Sequence, residues 1–343
     1  NNNSLSSLMN KFTKLTNRLS KYYGKPINFN LSPAISYRSR CEFGYKDNYY
    51  TMIKDDKKIY FKIHNLPSSS IQIIMEPLLD LIEVRPIIKE KLFQINFRSI
   101  KDTILVTLIY HKDIDDQWLD EAKIIASSLN INLIGRARKK LLSTGMIELE
   151  ELVDVKDNFY LYQDDKTFYQ PNKYLMPKMI EFSLSLISNP RDLLELYCGS
   201  GTFTVPMSRY FNKIFATESN RASIGYLNKS IDRNNIINIS QSRLSDTELT
   251  EAFNGRIFRR MNDISLDDYD FSHVLVDPPR SGLNENVVNI LNRFENIIYI
   301  SCNPETFERD IINLKGYKID KLEVFDQFSN TPHLELIALL TRI

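Results

Sequence analysis

The sequence predicts an α/β protein of two domains: an α+β domain over residues 1–165, then a doubly wound sheet over residues 166–343. Three observations lead there. From about residue 175, apolar strands alternate with helical stretches, the pattern of a sheet covered by helices on both faces. The first of those strands opens into a turn that holds Gly199 and Gly201. The charge also divides: residues 1–150 hold 23 Lys and Arg against 16 Asp and Glu, and the remainder holds 21 against 27. At 343 residues the chain is long enough for two cores.

The opening "NNNSLSSLMNKFTKLTNRLSKYYGK" is basic and Ser-rich, without an apolar signal core. A transit peptide is one reading. The spacing of Leu5, Leu8, Met9, Phe12 and Leu15 favours an amphipathic helix. Residues 37–63 then read as short strands ("YRSRCEFGY", "YYTMI", "KIYFKI") broken by polar turns. "SSSIQIIMEPLLDLIEVRPIIKEKL" has helical spacing, interrupted by Pro77 and Pro86. "FQINFRSI" and "TILVTLIYH" make a strand pair, and "DDQWLDEAKIIASSLN" a helix with an acidic start. In the second domain "DLLELYC", "KIFATE", "HVLVDPP" and "NIIYISC" are strands separated by helices, and "LELIALLTRI" closes the sheet. Ligands of such sheets bind beyond the carboxyl ends of the strands.

Composition narrows the function. No apolar run approaches the roughly 20 residues that span a bilayer, so no membrane role is expected. Three scattered cysteines (Cys41, Cys198, Cys302) build neither a disulfide framework nor a cysteine-rich metal site. They point to a reducing compartment, the cytoplasm. The four histidines are isolated, so no metal is expected. The first 40 residues carry seven basic side chains and no acidic one, which suits a polyanionic partner. A solvated basic face without a partner is the alternative.

In "LLELYCGSGTF" the glycines let the backbone turn sharply and approach a ligand closely. Glu218 of "FATES" stands nineteen residues beyond Gly199, where an acid can accept both hydroxyls of a ribose. Thr204 replaces the third glycine of the dinucleotide fingerprint. That disfavours a dehydrogenase and favours a nucleoside cofactor without a pyrophosphate, such as S-adenosylmethionine. "VDPPRSGL" holds Asp277 at a stiffened strand exit, although "DPP" is also an ordinary turn. Cys302 of "IIYISCNPETF" either closes a core strand as a small residue or presents a thiol. Glu335 enters the apolar "HLELIALL", which is costly unless it is partnered or functional.

Together "FYQPN", "LLELYCGSGTF", "FATES", "VDPPRSGL", "YISCNPETF", "FDQF" and "HLELIALL" resemble the RNA 5-methyluridine methyltransferases. "KLFQI", "LIYHKDIDDQW" and "LIGRA" resemble the bacterial tRNA (uracil-5-)-methyltransferase branch. The likeness runs from about residue 15 to the C-terminus. It implies a Rossmann-like, class I S-adenosylmethionine-dependent methyltransferase domain behind an RNA-binding domain. It implies further that Cys302 is the nucleophile on uracil carbon 6 and that Glu335 removes the carbon-5 proton. Gln170, Tyr197, Thr202, Glu218 and Asp277 would line the S-adenosylmethionine site, with Thr202 standing where the family carries asparagine. Phe93 and His111 fall where the family meets the T-loop. An aromatic there can stack on a loop base for about 1–3 kcal/mol. A core Phe and a turn His are the plain alternative. Cys198 reads as a packed small residue.

The chemistry explains the residue types. Carbon 5 of uracil is a poor nucleophile until a thiolate adds to carbon 6, and a base must then free the thiol. Arg280 is a candidate neighbour to favour the thiolate. The expected substrate is uridine 54 of the tRNA T-loop, the expected state a monomer. Ribosomal RNA enzymes of this kind carry an iron–sulfur cluster held by clustered cysteines, which are lacking here. Methylation of ribosomal RNA or tmRNA is the alternative, and an RNA-folding protein with a vestigial site is another. "KFTKLTNRLSKYYGK" and "RARKK" would grip phosphates.

Overall fold

The computed structural model describes residues 2–343, with side chains from residue 10 onward, so Leu5, Leu8 and Met9 lie outside the described side chains. The chain forms two compact units. One holds residues 33–151 and 163–173; the other holds the chain up to Ser32, residues 152–162 and residues 174–343. This differs from the single cut expected after residue 165. The opening segment, helix α1 (Asn2–Leu19) and strand β1 (Asn28–Leu31), belongs to the second unit. Leu15 and Leu19 of α1 are buried in that unit's core.

The first unit is a seven-stranded sheet. Its strands are β2 (Arg40–Lys46), β3 (Tyr49–Lys54), β4 (Lys57–Phe61), β5 (Leu92–Ile100), β6 (Thr103–Tyr110), β7 (Asn132–Ala137) and β8 (Lys140–Ser143). They lie in the order β4-β3-β2-β5-β6-β7-β8, antiparallel except for β6 and β7. Helices α2 (Ser69–Glu83), α3 (Pro86–Lys89) and α4 (Asp116–Leu129) supply its apolar cover. Pro77 does not break α2: it sits on an exposed face, while Ile74, Met75, Leu78 and Ile82 face the core. Pro86 does mark a boundary, opening α3 at a position where no N–H is needed. Asp115 caps α4 by accepting from Trp118 N. The Trp118 ring lies against Gly135, where any Cβ would meet it at 2.4 Å.

Buried polar pairs explain why residues 163–173 join this unit. Arg98 donates to Gln163 at 2.9 Å, and Arg136 makes a two-pronged pair with Asp165 at 2.6 and 2.7 Å. Arg136 of "RARKK" is therefore an internal strut, and only Arg138, Lys139 and Lys140 of that run are exposed. A two-stranded ribbon, β9 (Leu149–Val153) and β10 (Phe159–Gln163), lies where the chain changes units.

The second unit holds β11 (Asp192–Leu196), β12 (Lys213–Thr217), β13 (Ile239–Ser242), β14 (Phe271–Val276), β15 (Asn296–Ser301), β16 (Tyr317–Asp326) and β17 (Glu335–Arg342). With β1 they order as β1-β16-β17-β15-β14-β11-β12-β13. All neighbours are parallel except β17, which runs antiparallel between β15 and β16. Helices α5 (Met176–Ser185), α6 (Thr204–Met207), α7 (Arg221–Arg233), α8 (Asp246–Phe253), α9 (Glu285–Leu291) and α10 (Pro304–Asn313) complete the unit. Every residue of β11 is buried, as expected of a strand covered on both faces. Strand β13, "ISQS", was not expected: it is a short, half-buried edge strand without an apolar run. Counting from β11, "HVLVDPP" is thus the fourth strand in chain order, not the third. Among the described residues no helix is long and apolar enough to cross a membrane.

Candidate active site

The strand order reverses at β11, whose successors lie on one side and β14 on the other. The crevice beyond the carboxyl ends of β11 and β14 is thus the place for a ligand. Two sequence features meet there. After β11 the chain passes through Tyr197 at φ 58°, Gly199 at φ 55° and Gly201 at φ 100°. A Cβ on Gly199 would meet nothing within 4 Å, so this turn is open above its backbone. The Gly199 N–H donates to Glu218 Oε1 at 3.1 Å, which places the acid at the end of β12 beside the glycine turn. Tyr197 donates to Asp246 Oδ2 at 2.8 Å, and Thr202 is half-buried in the same loop.

Asp277 follows β14. Its exit is more than an ordinary turn, because the loop after it is pinned. Asn303 and Thr306, at the start of α10, donate to the Arg280 carbonyl at 3.1 and 3.2 Å. Buried Asp310 accepts from the Leu283 N–H at 3.0 Å and from Tyr299 Oη at 2.5 Å. Gly282, at φ 77°, lies where a Cβ would strike Arg309, Asp310 and Thr306.

Cys302 and Glu335 meet through strand direction. Parallel strands deliver their last residues to the carboxyl edge, and β15 delivers Cys302 just past Ser301. The antiparallel β17 begins at that same edge. Ser301 pairs with Leu336, so the next position of each strand sets Cys302 opposite Glu335. Asn303 caps α10 by accepting from Glu305 N, which turns the chain away and leaves the half-buried thiol at the rim. Cys302 opens into a cleft of about 710 Å³, whose lining includes Lys14, Arg18, Arg280, Thr331 and His333. Arg280 and His333 are in hydrogen-bond contact at 3.0 Å.

Electrostatics distinguish the groups. Burial pushes the Glu335 carboxyl up to about 7, while a hydrogen bond from Gln327 pulls the other way. Asp277 is held well above the usual carboxylate range by burial, then by Glu335 and Glu218. Burial, then Glu335 and Asp277, raise the Cys302 thiol; Arg280 lowers it by the least of these effects. Arg280 therefore does not make this thiol acidic, contrary to expectation. Beneath the glycine turn, Glu195 accepts from Thr204 Oγ1 at 2.5 Å and is pushed by burial up to about 8. Cys198 is buried, and burial raises its thiol well above the ordinary value. Cys41 lies in the core of the first unit, its thiol raised to about 12 by burial.

The remaining candidates lie in the first unit. Gln170 is buried there. Phe93 and His111 stack face to face at 3.7 Å between centroids and 10° between planes. A register shift between Leu92 and Gln94 turns Phe93 out of the ladder onto exposed His111, so they form neither a core Phe nor an isolated turn His.

Sequence reasoning missed several residues. Gln327 sat inside a recognised motif without a role, and Asp246 and Glu195 were not singled out. Lys11 was read as a phosphate grip, but it is 8% exposed and paired with Asp326 at 2.6 Å. Its spacing from Leu15 and Leu19 on one helix face was the available signal.

The strand order, the reversed β17, the glycine turn and the acid after β12 define a class I S-adenosylmethionine-dependent methyltransferase fold. The tRNA (uracil-5-)-methyltransferase family profile matches residues 3–343. A tRNA/tmRNA (uracil-C(5))-methyltransferase of Campylobacter concisus is 41% identical over 328 residues, covering 93% of this chain and 89% of its own length. One of the same name from Nitratiruptor sp. is 39% identical over 336 residues, covering 96% and 93%. The crystal structure of Pyrococcus abyssi tRNA (uracil-54, C5)-methyltransferase with S-adenosyl-L-homocysteine superposes with a TM-score of 0.77 at 24% identity. That match covers 98% of this chain and 83% of the archaeal one, and it bears on the fold. The chain belongs to the tRNA (uracil-5-)-methyltransferase family.

Proposed function

We propose that this protein methylates carbon 5 of uridine 54 in the T-loop of tRNA, using S-adenosylmethionine, through a covalent bond between Cys302 and carbon 6. One observation carries the reading: Cys302 and Glu335 oppose each other at adjoining strand ends, beside the crevice of the glycine turn. The names of the relatives supply the RNA class, and the archaeal enzyme's name supplies position 54. tmRNA, also in the relatives' names, is a second substrate on the same grounds.

The residues present fit S-adenosylmethionine. Tyr197, Thr202, Glu218 and Asp277 would hold it. Burial pushes both Asp277 and Glu335 up toward protonation. When bound, the donor supplies an electrophilic methyl group on a cationic sulfur. Burial, then the Glu335 and Asp277 carboxyls, raise the Cys302 thiol.

The chain's own groups then act as follows. Cys302, ionised to the thiolate, bonds through sulfur to uracil carbon 6, and the electron pair of the 5,6 double bond moves onto carbon 5 and oxygen 4. After carbon 5 has taken the methyl group, Glu335 accepts the proton from carbon 5. The freed electron pair re-forms the double bond and expels the Cys302 thiolate. A base near 7 suits that proton transfer at neutral pH. The stacked Phe93–His111 pair is the candidate platform for an unstacked loop base, and the target uridine must leave its stack to reach the thiol. The three free thiols support a reducing compartment, the cytoplasm, as its site of action.

The test uses unmodified tRNA transcript and labelled S-adenosylmethionine, with nuclease digestion to locate label. 5-Methyluridine at position 54 is expected. Absence of transfer overturns the enzyme reading in favour of an RNA-binding protein. Label at another position, or in ribosomal RNA alone, overturns the substrate.

A further inference from the structure

Lys11 presents a buried charge that the proposed chemistry does not use. Its ammonium reaches Asp326 Oδ1 at 2.6 Å and the carbonyls of Thr331 at 2.9 Å and of Phe328, Ser329 and His333 at 3.4 Å each. All four carbonyls belong to the loop that joins β16 to β17. The loop begins with Gln327, which hydrogen-bonds Glu335, and it leads directly into Glu335, the first residue of β17. Six of its residues, Ser329 to Leu334, also line the cleft onto which Cys302 opens.

A buried ammonium needs more than a paired charge: the protons its carboxylate leaves over must also be hydrogen-bonded. Here one ammonium with three protons gathers a carboxylate and four carbonyls, converging from a stretch with no regular structure. The loop's backbone is folded around a side chain more than three hundred positions away in sequence. Asp326, the other partner, is the last residue of β16 and pairs with Leu31 of β1, so the carboxylate is itself fixed by the sheet.

Building on the proposed reaction, we infer that Lys11 is a positioning residue: through the loop carbonyls, α1 fixes the segment that aims Gln327 and Glu335 at the uracil bound on Cys302. Adduct formation depends on Cys302 and the methyl donor, whereas release depends on Glu335. Loosening the loop therefore slows release more than it slows adduct formation.

The experiment compares wild type with Lys11→Met. Steady-state turnover is measured on tRNA transcript, and adduct formation on transcript carrying 5-fluorouridine, in which carbon 5 bears no removable proton and the covalent complex persists. Wild type must form 5-methyluridine; failure there rejects the proposed reaction and is separate from the behaviour of Lys11. Given that, Lys11→Met is expected to lower kcat at least about tenfold, on the scale of impaired general-base catalysis. The rate of adduct trapping and the S-adenosylmethionine Kd should stay within about twofold of wild type. Lys11→Arg, which keeps the charge and its donors, should recover part of the lost kcat. Wild-type kcat in Lys11→Met, or an equal loss of turnover and trapping, overturns the inference. If Lys11→Met does not fold, the double variant Lys11→Gln with Asp326→Asn removes the stranded charge and keeps an amide donor. The same split between turnover and trapping is expected from it, and its absence overturns the inference.

Discussion

The carboxyl edge of the catalytic sheet carries the same pair of residue types twice, with opposite fates. At β11 a carboxyl and a thiol, Glu195 and Cys198, lie under the glycine turn; both are buried, and Glu195 is held by Thr204. At β15 and β17 a thiol and a carboxyl, Cys302 and Glu335, are both half-buried, and Cys302 lines an open cleft. Burial raises all four groups. What separates the pairs is access. The first is sealed beneath a backbone turn. The second exists because one strand runs backwards and brings its first residue to the edge where its neighbour ends.

Exchanging the thiols breaks the comparison most sharply. Cys302→Ala is expected to abolish methyl transfer while leaving S-adenosylmethionine binding intact, measured by label transfer and by calorimetry. Cys198→Ala should keep turnover within a few-fold and cost about 1 kcal/mol of stability, as a small core truncation does. Loss of turnover in Cys198→Ala would mean that the sealed thiol is not merely packing.

The carboxyls come next. Glu335→Gln should slow turnover by roughly 10²–10⁴ and accumulate a protein–RNA adduct on a denaturing gel. Glu195→Gln should form no such adduct and should keep most activity, since an amide can still partner Thr204. Accumulation in neither variant would send the carbon-5 proton by another route.

The pH profile sharpens the contrast at the rim. In the proposed reaction Glu335 acts as a base only when ionised, and burial pushes it up to about 7. Turnover should fall below that pH by up to tenfold per unit, and Glu335→Gln should lose this limb. A raised Cys302 thiol keeps the thiolate fraction rising above neutrality, so adduct formation should still climb on the alkaline side.

The smallest effect is in stability. Glu195 goes from an ordinary 4.5 to about 8 on folding. Between those values the folded chain holds a proton that the unfolded chain has lost, so stability falls as pH rises through that window. Thermal melts at pH 5 and pH 8 should show a larger drop in Tm for wild type than for Glu195→Gln. An equal drop would assign the pH dependence to other groups.

Much of this was legible in the residues. The alternation of apolar strands and helices gave the doubly wound sheet, because fully buried parallel strands need continuous apolar runs. Edge strand β13 escaped notice because an edge needs no such run. The glycine turn and Glu218 were readable as local backbone chemistry. The division of the chain was not, since α1 and β1 join a sheet whose other strands begin at residue 192. Lys11 was misread for a related reason: exposure was inferred from charge, and its partners lie near the opposite end of the chain.

The sequence by itself determined which reactive groups exist and which turn each strand enters, because strand pattern, glycine and proline act over a few residues. Only the tertiary structure decided which of them meet. Strand direction and sheet order set Cys302 against Glu335 and Lys11 inside the loop before it, and those pairings span distances in sequence that no local propensity encodes.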